Sequence, residues 1–161
     1  MARDAYEKAK NYAYRLLGYR ARSEKELRNK ISEKGYNQKT ISSIIVQLKR
    51  EGLVDDKKFA TLWIKTRLEH NARSLLVIKH ELLLRGVDKS TAESLLDDFK
   101  SGFDEEEVVK KLLYDRMRVV KGLDWEKAKQ RLYSFLKRRG FSNQIILKAL
   151  RNLLDETRRD S

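Results

Sequence analysis

Residues 137–146 read KRRGFSNQII: three cations, a glycine, an aromatic ring and a serine ahead of two isoleucines. Gly140 suits a left-handed helix terminator because it carries no Cβ to strain positive φ. Lys137, Arg138 and Arg139 then fill the last turn of a helix, where cations complement the free carbonyls. Phe141 folds back onto the helix just ended. Ser142 caps a second helix, in which Ile145, Ile146, Ala149, Leu150 and Leu153 recur at helical spacing. The stretch predicts helix, tight turn, helix. It leaves open whether the cations are a binding site or only a helix end.

The same grammar occurs twice more, as EKGYN at 33–37 and LRGVD at 84–88. Each has a cation, a glycine, an apolar residue and a capping residue: Asn37, Asp88 and Ser142. With Gly35, Gly86 and Gly140 aligned, five positions are apolar in every copy. They hold Leu27, Ile78 and Leu132; Ile31, Leu82 and Leu136; Ile41, Ala92 and Ile146; Ile45, Leu96 and Leu150; and Leu48, Phe99 and Leu153. The tripeptide ARS stands at 21–23 and again at 72–74, in the same place relative to its glycine. This is an internal repeat with a period of about 50 residues.

Each repeat holds three helices. The first helix of the second repeat spans 55–68, with Phe59, Ala60, Trp63, Ile64 and Leu68 on one face. That of the third spans 104–117, with Val108, Val109, Leu112, Leu113 and Met117. Ala9, Tyr12, Ala13, Leu16 and Leu17 do the same in the first. Asp55-Asp56 and Asp104 through Glu107 open the later two, where negative charge favours a helix start. Ser23 followed by Glu26 is a capping box. The expectation is an all-α chain of three tandem three-helix repeats, at 1–52, 53–102 and 103–161.

The chain has 161 residues, no proline, no cysteine and a net charge of +13. No segment alternates like an exposed strand. Disulfides, thiolate metal sites and cysteine nucleophiles are excluded. MARDAYEKAK has no apolar signal region and no apolar run approaches a membrane span, so the chain is expected to be soluble and cytoplasmic. Residues 1–52 carry +7, residues 53–102 carry +1 and residues 103–161 carry +5. A chain this basic suits polyanionic partners, and weak, non-specific DNA contact is expected.

For catalysis the residues are poor. His70 and His80 are the only histidines, there is no GxxxxGK, and no nucleophile–base set can be placed. No cofactor or metal is implied. For nucleic acid or protein contact the candidates are Arg20, Arg22, Lys25 and Arg28 in the first repeat and Lys137, Arg138 and Arg139 in the third. The alternative is a set of solvated or helix-terminal cations. Third helices beginning NQKTIS, DKSTAE and SNQIIL lack the basic start of a major-groove recognition helix.

Four motifs carry a family resemblance across nearly the whole chain: RARSEKELRNKI at 20–31, GLVDDKKFATLWIKTR at 52–67, IKHELLLRGV at 78–87 and FLKRRGFSNQII at 135–146. The chain resembles the RecX family of bacterial regulators of the RecA recombinase. Val54, Lys58 and Arg85 depart slightly from the family pattern, and NARS at 71–74 lacks its Gly-Pro. The resemblance implies an elongated, curved array of three three-helix repeats. It implies a monomer that binds the RecA filament on single-stranded DNA and inhibits filament growth, ATP hydrolysis, strand exchange and co-protease activity. The matching residues Ser23, Glu26, Leu27, Asp55, Asp56, Phe59, Arg67, Glu81, Leu82, Gly86, Gly140 and Phe141 are read as scaffold, with Arg67 the partner of a carboxylate such as Glu81. The competing functions are a general DNA-binding helical protein without a RecA role, and a helical adaptor for another protein.

Overall fold

A computed structural model describes residues 2–159. In chain order the helices are α1 (Ala2–Tyr19), α2 (Glu24–Ser32), α3 (Gln38–Arg50), α4 (Asp56–Glu69), α5 (Leu75–Leu84), α6 (Lys89–Lys100), α7 (Glu105–Val120), α8 (Trp125–Arg138) and α9 (Asn143–Arg159). No strand occurs among the described residues. None of these helices is long and apolar enough to cross a membrane.

The helix boundaries follow local chemistry. Ser23 caps α2 through a complete capping box with Glu26. Asn37 accepts from the Thr40 amide at 2.9 Å, Asp88 from Thr91 at 2.9 Å and Ser142 from Ile145 at 3.3 Å. At the turn around Gly140, Phe141 N–H reaches back to Leu136 O at 3.4 Å and Gly140 N–H to Lys137 O at 3.0 Å. Val87 repeats the first bond to Leu82 O at 3.1 Å. Both residues that follow these glycines are buried. The expected back-fold is therefore what closes each turn. Gly18 does not break α1, which runs one residue past it.

The fifteen apolar positions aligned on the glycines are the core. Fourteen of them are buried, and only Phe99 is half-exposed. Of the predicted apolar face, the first helix of each repeat buries only a narrower stripe: Ala9, Ala13 and Leu16; Phe59, Ala60 and Ile64; Val109 and Leu113, joined at the end of α7 by Val120. Trp63, Leu68, Val108, Leu112, Met117, Tyr12 and Leu17 flank those stripes half-buried.

Backbone contacts group the chain into two compact units, Met1–Thr66 with Lys79–Leu96, and Arg67–Ile78 with Asp97–Ser161. Helices α4, α5 and α6 are thus shared out between the units. The first unit has a core of Ala9, Ala13 and Leu16 from α1, Leu27 and Ile31 from α2, and Ile41, Ile44, Ile45 and Leu48 from α3, closed by Val54. The second has a core of Val109, Leu113 and Val120 from α7, Ala128, Leu132 and Leu136 from α8, and Ile146, Leu150 and Leu153 from α9, closed by Phe141.

Two turn glycines carry a second constraint beyond positive φ. A β-carbon at Gly86 (φ +85°) would stand 2.5 Å from Lys25 Cβ. One at Gly140 (φ +87°) would intrude on the Val77 side chain and stand 2.8 Å from Ser74 Oγ. Gly35 (φ +84°) has open space where its β-carbon would go. Backbone strain alone predicts that Gly35→Ala costs about 1 kcal/mol. Gly140→Ala adds an overpacking cost of about 1–3 kcal/mol. Thermal melts followed by circular dichroism should show a clearly larger loss for Gly140→Ala, and equal losses would refute the close approach.

Candidate interaction surface

The scaffold motifs converge at two joints of the same design, one inside each compact unit. In the first, the Ser23 hydroxyl donates to Arg85 O at 2.5 Å and accepts from Glu26 N–H at 3.1 Å. Ser23 is wholly buried, and both its donor and its acceptor capacity are used. The next amide of α2, on Glu24, donates to Asp56 Oδ1 at 2.8 Å. Asp56 therefore does not cap its own helix. Asp55 does that, accepting from Lys57 at 2.9 Å and Lys58 at 3.0 Å. Burial pushes the Asp56 carboxyl up from its ordinary value, against the pull of the Glu24 amide.

Arg85, the residue before the glycine, sits over Trp63 with its guanidinium 3.8 Å from the ring centroid. It also donates to Glu81 O at 3.1 Å and approaches Glu26 at 3.7 Å. Trp63 in turn donates its indole N–H to Glu81 Oε2 at 2.8 Å and stacks on Phe59 at 5.8 Å. Burial pushes Glu26 up, but Arg20, the Ser23 amide and Arg85 together hold it below its ordinary value.

The second joint repeats the plan. Ser74 N–H donates to Arg139 O at 3.1 Å, and Ser74 Oγ accepts from Val77 N–H at 3.3 Å. The next amide, on Leu75, donates to Glu105 Oε1 at 3.4 Å. Arg139 donates to Ala72 O at 2.7 Å and Asn71 Oδ1 at 3.0 Å, and its guanidinium lies 4.6 Å from the Phe135 centroid. The ARS tripeptides therefore stand where each second helix meets the Arg-Gly turn of the following repeat. Only the spatial partners Arg85, Arg139, Asp56 and Glu105 escape a reading of the sequence alone. A trace of them survives in the acidic residue that follows each Asp cap, at 56 and 105.

The candidate cations fall into two groups. Arg20 pairs with Glu26 through both terminal nitrogens, at 3.0 and 3.1 Å. Arg22 donates to Leu16 O at 3.3 Å, and Arg28 donates to Glu24 at 2.8 Å and Ser42 at 3.2 Å. Lys25 lays its stem against Gly86. In the third repeat, Lys137 is exposed and donates to Asn143 Oδ1 at 2.7 Å. Arg139 is a joint residue, half-buried. Arg138 alone of the three faces solvent without a partner of this kind, and it lines a groove with Arg116 and Arg131, which sequence reading did not single out. His80 is exposed and His70 lies 3.8 Å from exposed Glu69.

Comparison with known proteins gives this architecture a family. The family models for the first, second and third three-helix domains of RecX match residues 9–48, 55–96 and 104–150 in that order. The chain belongs to the RecX family. It is 31% identical over 153 residues to the regulatory protein RecX of Amycolatopsis mediterranei (strain U-32), covering 95% of this chain and 87% of that one. It is 36% identical over 146 residues to the regulatory protein RecX of Mycobacterium sp. (strain KMS), covering 88% and 79%. The crystal structure of RecX from Lactobacillus salivarius matches with a TM-score of 0.72 at 25% identity, over 95% of this chain and 98% of that one. A second crystal structure, of a regulatory protein RecX, shares the fold with a TM-score of 0.74 at 22% identity. The named relatives of this RecX-family chain are regulators.

The first joint generates a test. Asp56→Ala leaves the Glu24 amide without its acceptor and should cost about 1 kcal/mol, the value of a lost helix cap. Asp56→Asn keeps the acceptor and should cost less. The carboxyl's folded pKa is raised, so the native state holds its proton more tightly. The parent should therefore lose stability as pH rises through and just above the ordinary carboxylate range. Asp56→Asn should lack that component, which urea melts at stepped pH would reveal.

Proposed function

We propose that this chain regulates the RecA recombinase by binding RecA filaments on single-stranded DNA and inhibiting filament growth, ATP hydrolysis, strand exchange and co-protease activity. The observation that carries the reading is the match of all three RecX three-helix domains, in order, from residue 9 to residue 150. The regulatory names of the relatives support it. The charge of +13 supports a partner that presents phosphates or an acidic surface, since complementary charge speeds encounter. A regulator of this kind acts as a monomer in the cytoplasm and needs no cofactor.

End growth makes the expected stoichiometry low, because one molecule at a filament end blocks many later additions. The DNA-dependent ATPase of the cognate RecA should fall when the chain is present well below one molecule per RecA. An ATPase untouched even at equal amounts would refute the reading. Co-sedimentation separates it from general DNA binding: the chain should pellet with RecA–single-stranded DNA filaments at a salt concentration where it no longer pellets with bare single strands. Equal recovery on both would favour a DNA-binding protein with no RecA role.

A further inference from the structure

The groove between α7 and α8 holds positive charge that the fold does not use. Its volume is about 420 Å3, and Arg116, Arg131 and Arg138 line it together with Gln130, Ser134 and Val119. No carboxylate is among the lining residues. None of the three arginines makes an ion pair among the described residues, whereas Arg20, Arg28 and Arg85 of the first unit each face a glutamate. Arg131, Ser134 and Arg138 share one face of α8, so the two cations stand about 10 Å apart along the helix. Arg116 faces them from α7.

Arg116 is also held in position. Its guanidinium lies 5.0 Å from the Phe135 centroid, on the ring that carries Arg139 at 4.6 Å. Burial lowers the Arg139 pKa, and repulsion from Arg73 and Arg116 lowers it further. Within the α7–α8 groove itself the lining charge is positive with no carboxylate among the lining residues, the condition under which a polyanion displaces bound counterions with gain.

We infer that this groove is a binding site for the phosphodiester backbone of nucleic acid. A row of guanidiniums with a hydroxyl and an amide between them matches successive phosphate oxygens, which such side chains hold without reading sequence. An acidic protein surface fits less well. Protein hot spots need an aromatic or large apolar anchor in a pocket, and this groove offers only Val119 and the buried edge of Val120. No aromatic ring lines it either, so bases gain no stacking and sequence preference should be small. The site is independent of the RecA reading, since loss of DNA contact leaves inhibition of the RecA ATPase to be measured separately.

The test is fluorescence anisotropy with a labelled oligothymidylate and, in a second arm, a duplex of equal length. For a single strand each phosphate contact contributes about 0.7 to the slope of log K against log salt, so Arg131→Gln with Arg138→Gln should flatten the slope by about 1.4. The same relation gives an affinity loss of up to about sixtyfold at 50 mM salt and about tenfold at 200 mM. Lys39→Gln with Lys65→Gln removes two exposed charges from the first unit as a matched control and should change the slope little. On the unmodified protein, the oligonucleotide should shift the amide resonances of residues 130–138. A stronger response in one arm identifies whether the backbone read is single or double. The inference fails if the folded Arg131/Arg138 variant binds like the parent, if the control loses as much, if the resonance shifts lie elsewhere, or if polyglutamate of equal charge displaces the oligonucleotide as well as unlabelled oligothymidylate does.

Discussion

A helix cannot satisfy its own first amides, and in two places here the following repeat supplies what is missing. Glu24 N–H finds Asp56, and Leu75 N–H finds Glu105. The buried serine just before each of these residues bonds the carbonyl that precedes the next turn glycine. For that carbonyl to come so close, the glycine must have no side chain, because a β-carbon would collide with Lys25 in one joint and with Val77 and Ser74 in the other. Positive φ and close approach therefore fall on one residue, and each joint tolerates glycine alone.

The joints also decide how the positive charge is spent. Arg85 and Arg139 are drawn inward by their position beside the glycine, and each lies against an aromatic ring that covers its guanidinium. In the first unit Glu24 and Glu26 absorb most of the neighbouring cations. Glu24 is held below its ordinary value by Lys49 and Arg28 against the cost of its burial. The second unit has no such acids in its α7–α8 groove. A net positive charge thus becomes local only where carboxylates are lacking, and composition cannot show this.

The residues that make the family recognisable are mostly the ones that build these joints. Ser23, Glu26, Asp56, Gly86 and Gly140 all make or permit a contact between repeats inside a compact unit. A partner surface is under no such geometric constraint, since exposed arginines on a helix face are spaced by helical periodicity alone. The motif residues are therefore a guide to the scaffold, and Arg116 and Arg131 stand outside every motif.

The repeat, its core and its caps were legible in the sequence because each depends on spacing along one helix or on a residue next to a turn. Fourteen of fifteen aligned apolar positions are buried, and Asn37, Asp88 and Ser142 all cap as their neighbours require. Phe99 deviates because it lies in the last turn of α6, where one side of the ring stays open to solvent. What surrounds Lys137, Arg138 and Arg139 was set only by tertiary structure. Three adjacent cations meet three environments: Lys137 bonds across the turn to Asn143, Arg138 faces the groove, and Arg139 bonds residues 71 and 72, more than sixty positions away. Helical rotation of about 100° per residue separates their directions. What each direction meets depends on chain brought there from elsewhere, and no local pattern encodes that.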